Sequence, residues 1–194
     1  MTFRTTDQNG KVSEICWGAI APCEHLVQIY QEDDAFLDAL EGFAAGGLRA
    51  GDGVIVIATP AHLAALARRL VATGIDVEGA AVTDQYVALD ADRTLKKFMM
   101  RGWPDDVLFD RVVSELLARA GRDGRRVRAF GEMVALLWEE GRTGATVRLE
   151  HLWHRLCNER RFSLFCAYPR TGFANDVDLS AREICAAHSK VVSR

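Results

Sequence analysis

Glu132 lies in the run Phe130-Gly131-Glu132-Met133, where an apolar, strand-like stretch passes into a helix-like one. A carboxylate at such a junction stands at the top of a sheet, where it can act as a general base or orient a ligand. Glutamate at a helix N-terminus also stabilises the helix dipole by under about 1 kcal/mol, so both roles stay open at this position. A second group, Glu150, His151, His154, Cys157 and Asn158, carries metal-ligating side chains. Glu150 and His154 share one helix face, and His151 and His154 form an i,i+3 pair. That arrangement offers two ligands from one helix, whereas zinc takes three or four at recognisable spacing. The group therefore reads as a polar face beside Leu149, Leu152 and Leu156, and no metal or other cofactor is expected.

Other chemistries are poorly served. No G-x-x-x-x-G-K-[ST] and no G-x-G-x-x-G occurs, and the loop Gln31-Glu32-Asp33-Asp34 would repel a triphosphate. There is no G-x-S-x-G elbow. Cys166 falls inside an apolar strand, where burial raises the thiol pKa and makes it inert. No catalytic residue is assigned and the chain is expected not to be an enzyme. What remains is a set of aromatic and sulfur-bearing side chains at strand ends or on adjoining helices. From it, Tyr30, Trp103, Glu132, Met133, Trp138 and Tyr168 are candidates to line a small apolar pocket. Residues at these spacings also serve as ordinary core.

The elements that must position these residues alternate along the chain. Strands are predicted at His25–Tyr30, Val54–Ala58, Val82–Leu89, Arg125–Gly131 and Phe162–Tyr168. The run Val54 to Ala58 is continuously apolar and reads as a strand buried on both faces. Helices are predicted after Asp33-Asp34, after Thr59-Pro60 and over Asp90–Arg101. Others are expected from Asp105-Asp106 to Ala120, over Glu132–Glu140 and Val147–Glu159, and from about Leu179 to His188. Sustained strand–helix alternation predicts a three-layer α/β domain with a mostly parallel central sheet flanked by helices. Ligands of such sheets sit at the carboxyl ends of the strands, near the reversal in strand order. Residues 1–16 are expected to be a loose lead-in and residues 17–194 a single domain.

Composition sets the outer bounds. Of 194 residues, 49% are hydrophobic and 26% charged, which is enough for a core and argues against global disorder. The net charge of −3 gives no basic surplus for nucleic acid or an anionic membrane, so neither is an expected partner. Apolar runs fall far short of the roughly 20 residues a bilayer requires. The polar start does not read as a signal peptide. The five cysteines are odd in number and form no Cys-x-x-Cys pair, which suits free thiols in a reducing compartment. A cytoplasmic location is expected.

Several longer segments carry a resemblance. HLVQIYQEDDAFLDAL (His25 to Leu40), the F-x-x-x-G-x-P-D pattern from Phe98 to Asp105 and RAFGEMVALLWEEG (Arg128 to Gly141) are three of them. LEHLWHRL (Leu149 to Leu156) and FSLFCAYP (Phe162 to Pro169) complete the set. The chain resembles the MEDS (methanogen/methylotroph sensory) domain family from about Trp17 to His188. The resemblance implies a RecA/KaiC-like α/β core without a nucleotide-binding loop, and a role in sensing small molecules such as hydrocarbon derivatives. Members are commonly joined to histidine kinases or helix-turn-helix segments. No such output segment is read here, so the expected route is a partner protein (a histidine kinase or transcription regulator) or self-association as a homo-oligomer, with Ala181–His188 as the connector. Two alternatives stand beside the sensor. One is an interaction scaffold with no ligand; the other is an atypical metal- or nucleotide-dependent enzyme using Glu132 with Asp33 and Asp34.

Overall fold

A strand that is apolar on both sides folds only where helices cover both faces of its sheet. In the computed structural model, which describes residues 2–170, 184 and 188–193, that requirement is met by a mostly parallel eight-stranded sheet between two helical layers. Along the chain come strands β1 (Arg4–Asp7), β2 (Val12–Glu14) and β3 (His25–Tyr30), then helix α1 (Asp33–Arg49) and strand β4 (Gly53–Ala58). Helices α2 (Pro60–Ala72) and α3 (Val77–Val82), strand β5 (Tyr86–Asp90) and helix α4 (Ala91–Leu95) follow. A hairpin of β6 (Met99–Met100) and β7 (Trp103–Pro104) precedes helix α5 (Asp106–Ala120). The chain continues with β8 (Val127–Gly131), α6 (Met133–Glu139), α7 (Thr143–Arg160), β9 (Ser163–Pro169) and β10 (Lys190–Ser193). The strand order is β2-β1-β10-β3-β9-β8-β4-β5, parallel from β10 to β5 and antiparallel at the β1 and β2 edge.

Alternation along each strand sorts side chains between the layers. Leu26, Val54, Val56, Phe130 and Phe165 pack under α1 and α2 against Phe36, Leu40, Phe43, Leu66 and Leu70. Val27, Ile55, Ile57, Ala129 and Cys166 face α5, α6 and α7, where they meet Phe109, Val113, Met133, Leu149 and Trp153. β3 has the bounds its sequence predicts, and β4, β8 and β9 differ from prediction by one or two residues.

Three segments differ from expectation. Val82 closes helix α3 instead of opening a strand, because Asp76 caps that helix by accepting from the Gly79 N–H. The helix expected over Asp90–Arg101 stops at Leu95: Arg101 and Gly102 both take positive φ (50° and 88°) and turn the chain into the β6–β7 hairpin. Residues 4–7 and 12–14 form two short strands, since β1 pairs with β10 and supplies the edge of the sheet. The helix expected from about Leu179 to His188 lies outside the described residues, apart from Ile184 and His188.

One charged side chain is built into the core. Arg128 on β8 points into the α1 layer, 1% exposed, and is the second largest of the fully buried side chains. Its Nε donates to Asp52 Oδ2 at 2.9 Å and its Nη2 to the same oxygen; Nη1 donates to the carbonyls of Trp17 (2.6 Å) and Phe43 (3.3 Å). The guanidinium also lies over the Phe43 ring. Gly47 makes the room, for a Cβ there would stand 2.6 Å from Arg128 Cδ.

Removing one member of a buried ion pair leaves the other charged and unsolvated, at a cost of about 3–5 kcal/mol. Arg128→Met is therefore expected to lower unfolding stability by that amount in urea titrations, and Arg128→Met with Asp52→Leu to recover a large part of it. Equal stabilities for the single and double variants would contradict this.

Candidate functional site at the strand carboxyl ends

The chain leaves β4 toward the α1–α2 layer and leaves β8 toward the α6–α7 layer. β4 and β8 are neighbours, so their exits diverge at the position where open α/β sheets place their ligand crevice. Glu132, the residue after β8, bridges it. Its N–H donates to Ile57 O at 2.8 Å, its Oε2 accepts from the Thr59 N–H at 2.8 Å, and its Oε1 accepts from His62 Nδ1 at 2.7 Å. Thr59 caps α2 and Pro60 begins it, which sets His62 in the first turn facing the carboxylate.

The negative charge of Glu132 is felt around it. His62 has its pKa raised, first by the hydrogen bond to Glu132, with burial opposing. Tyr30 is raised by burial and then by Glu132. Glu139, at the far end of α6, is likewise pushed up by burial and by Glu132. Tyr30 stacks on Phe36 at 4.8 Å, and the Phe36 ring meets His62 edge-on at 5.0 Å. The result is a largely buried group with an aromatic wall, a hydroxyl and a clamped carboxylate–imidazole pair, of which His62 is the most exposed member. It can present an acceptor to a ligand that donates a hydrogen bond.

Of the six residues that the sequence nominates, the structure brings Tyr30 and Glu132 to this crevice. Met133, Trp138 and Tyr168 are buried on the opposite side of the sheet, where Trp138 and Tyr168 meet edge to face at 6.2 Å. Trp103 is separate from both groups: it is 56% exposed on the β6–β7 hairpin, with its ring against Gly144. Asp34 is committed to an ion pair with Arg69 between α1 and α2. Open clefts of about 300, 420 and 390 Å³ occur elsewhere on the surface, and none of the six residues lines them. His62 was missed because a histidine in the first turn of a helix carries no pattern of its own. Its signal is the Thr59-Pro60 start, which fixes where the third helical residue must point.

The group with metal-ligand character is elsewhere, and it contains one of the residues nominated from α7. Glu150 points inward to Tyr168, whose hydroxyl donates to Oε1, and to His25, Cys166 and His188. His151 and His154 are exposed, and Cys157 donates to the Phe162 carbonyl at 3.0 Å, with burial pushing its thiol up to about 12. The four described cysteines are free thiols. Among the described residues, no helix is long and apolar enough to cross a membrane.

Comparison with known proteins adds the family. The sequence model described as MEDS, methanogen/methylotroph, DcmR sensory domain, matches residues 24–189. No curated protein matches the chain.

The Glu132–His62 pair has a pH signature. His62 holds its proton more tightly in the fold than at its free value of 6.5. The pair's contribution is therefore complete below about pH 6.5 and is lost as pH rises through the folded value. Melting temperatures of the native chain, corrected with His62→Gln at each pH, are expected to show a stabilisation that is constant at acid pH and declines at some point above 6.5. A constant difference across the range would exclude the pair as a titrating element.

Proposed function

Because the chain belongs to the MEDS family of sensory domains, we propose that it is a non-enzymatic sensor for a small, weakly polar molecule bound at the crevice between β4 and β8. The observation that carries this reading is the clamp itself: a buried carboxylate with both oxygens engaged by Thr59 and His62, at the position where this architecture receives ligands. A ligand that donates a hydrogen bond to Glu132 would take the place of one of these partners, and Tyr30 and Phe36 would cover its apolar part.

The same residue gives the signal a way out. The Glu132 carbonyl accepts from the Ala135 and Leu136 N–H groups, so α6 is anchored on the residue that would meet the ligand. Trp138 at the far end of α6 leans on Tyr168. Displacement of Glu132 would be carried by α6 as a short rigid body, and a signalling partner such as a histidine kinase or transcription regulator would read the result. In this reading Met133, Trp138 and Tyr168 stand behind the pocket and relay it, and Trp103 takes no part. The chain acts within the cytoplasm, without membrane or nucleic acid.

A melting-temperature screen of small halogenated and hydrocarbon-derived alcohols, aldehydes and acids tests this. A ligand at about 100 times its Kd adds roughly 2.7 kcal/mol. The shift is expected to disappear in Glu132→Gln and Tyr30→Ala and to persist in Trp103→Ala. A screen with no shift, or a shift indifferent to Glu132 and Tyr30, would overturn the assignment and favour a ligand-free interaction scaffold.

A further inference from the structure

Four buried side chains from four segments converge between the sheet and α7. His25 opens β3 and Cys166 lies within β9; the parallel register pairs His25 with Leu164 and Val27 with Cys166, so both side chains project to the α7 face. On α7 the buried stripe Thr146, Glu150, Trp153 and Cys157 sends Glu150 toward them. His188 comes from the segment before β10. Ser189 holds it there: its N–H and Oγ donate to the His25 carbonyl at 2.8 and 2.9 Å, and the His25 N–H donates to Ser189 Oγ at 2.8 Å.

We propose that His25, Glu150, Cys166 and His188 form a tetrahedral site for a divalent transition-metal ion of the zinc class. One ligand atom from each residue lies within 4.8 Å of all the others, and all four residues are buried. His25 Nε2 is 3.4 Å from Cys166 Sγ and 3.6 Å from Glu150 Oε2; Glu150 Oε2 is 3.8 Å from Cys166 Sγ and 3.5 Å from His188 Nε2. A tetrahedral ion with bonds of roughly 2.0–2.3 Å sets its ligand atoms about 3.3–3.6 Å apart. These four edges of the cluster therefore already match the size of the ion's coordination shell to within a few tenths of an ångström.

Two further observations point to a cation at the centre. His188 Nδ1 donates to the Ile184 carbonyl at 2.5 Å, which leaves Nε2 as the ring nitrogen that faces the cluster and, in the neutral ring, gives it the lone pair. That nitrogen is fully buried, makes no hydrogen bond and faces the carboxylate oxygen of Glu150. Two acceptors turned toward each other in an apolar interior repel unless a cation or a proton lies between them. The other oxygen of Glu150 is already taken by the Tyr168 hydroxyl, the kind of outer hydrogen bond that orients a metal-binding carboxylate. Charge closes as well. A divalent ion with one thiolate, one carboxylate and two neutral imidazoles is neutral, and the proton displaced from the thiol leaves to solvent. The mix of nitrogen, sulfur and oxygen donors favours zinc over magnesium or calcium. The site lies on the opposite side of the sheet from the ligand crevice and would tie the β10 segment to β3, β9 and α7.

The test uses the whole chain, stripped with chelator and titrated with Co²⁺ and Zn²⁺. One equivalent of Co²⁺ is expected, with the strong visible absorption of tetrahedral cobalt and a thiolate-to-metal band in the near ultraviolet. X-ray absorption of the zinc form should give one sulfur at about 2.3 Å and three nitrogen or oxygen ligands at about 2.0–2.1 Å. Cys166→Ser should lose the thiolate band, and His188→Gln should weaken binding at least tenfold. Cys157→Ser and His154→Ala should leave both unchanged. Substoichiometric uptake, a shell without sulfur, or binding that follows Cys157 or His154 would overturn the proposal. The absorption measurement on the native chain decides the matter even where a core variant fails to fold.

Discussion

The guanidinium of Arg128 lies between the sheet and α1, paired with Asp52 and capped by two backbone carbonyls, and the placement of everything above it follows. Asp52 immediately precedes β4, and Arg128 belongs to β8, so the ion pair ties together the amino ends of two adjacent strands. Arg126 adds a second bond to the same carboxylate at 3.0 Å. An ion pair in this setting contributes little net stability compared with well-packed apolar groups, but it tolerates few alternatives. Slipping β8 by one residue would turn Arg128 to the other face of the sheet, away from Asp52, and would leave both charges buried and alone. The register so fixed carries Gly131 to Ile57 and delivers Glu132 across from Thr59.

How much of this could be read in the sequence depended on the range of the interaction. The strand His25–Tyr30 and the buried run Val54 to Ala58 are marked by local composition, and the folded elements coincide with them closely. Glu132 was legible for the same reason, since a carboxylate between a strand and a helix is a local pattern with a fixed place in a parallel sheet. The short helix at Val77–Val82 was not, because its apolar residues suit a strand equally and the deciding Asp76 cap is a single hydrogen bond. Arg128 was passed over as one charged residue in a strand; nothing near it in sequence announces that Asp52 and Gly47 wait on the far side.

The His25, Glu150, Cys166 and His188 cluster lies at the limit of that logic. Its members belong to four segments spread over almost the whole chain, so no spacing rule joins them. Glu150 was singled out on helical spacing, but with His151 and His154 as companions, and both of those face solvent. Cys166 was read as a packed core thiol from its strand alone. In place it is fully buried, with burial and the adjacent Glu150 pushing its pKa well up. Its environment becomes informative only when the side chains from the other three segments are seen beside it.

The two carboxylates that matter here are joined by structure as well as by type. Glu132 begins α6, Trp138 near the end of that helix rests on Tyr168, and the Tyr168 hydroxyl donates to Glu150. Contact continuity of this kind is a path for coupling only where some element on it has two discrete arrangements. On the sensor reading the crevice end would supply it, with Glu132 either keeping its bonds to Thr59 and His62 or giving one up to a ligand. The buried end offers the opposite property: a four-cornered cluster holding β3, β9, α7 and the β10 segment resists displacement. A cation there would stiffen the floor under Tyr168, and a stiff floor makes a shift of α6 more costly at Trp138.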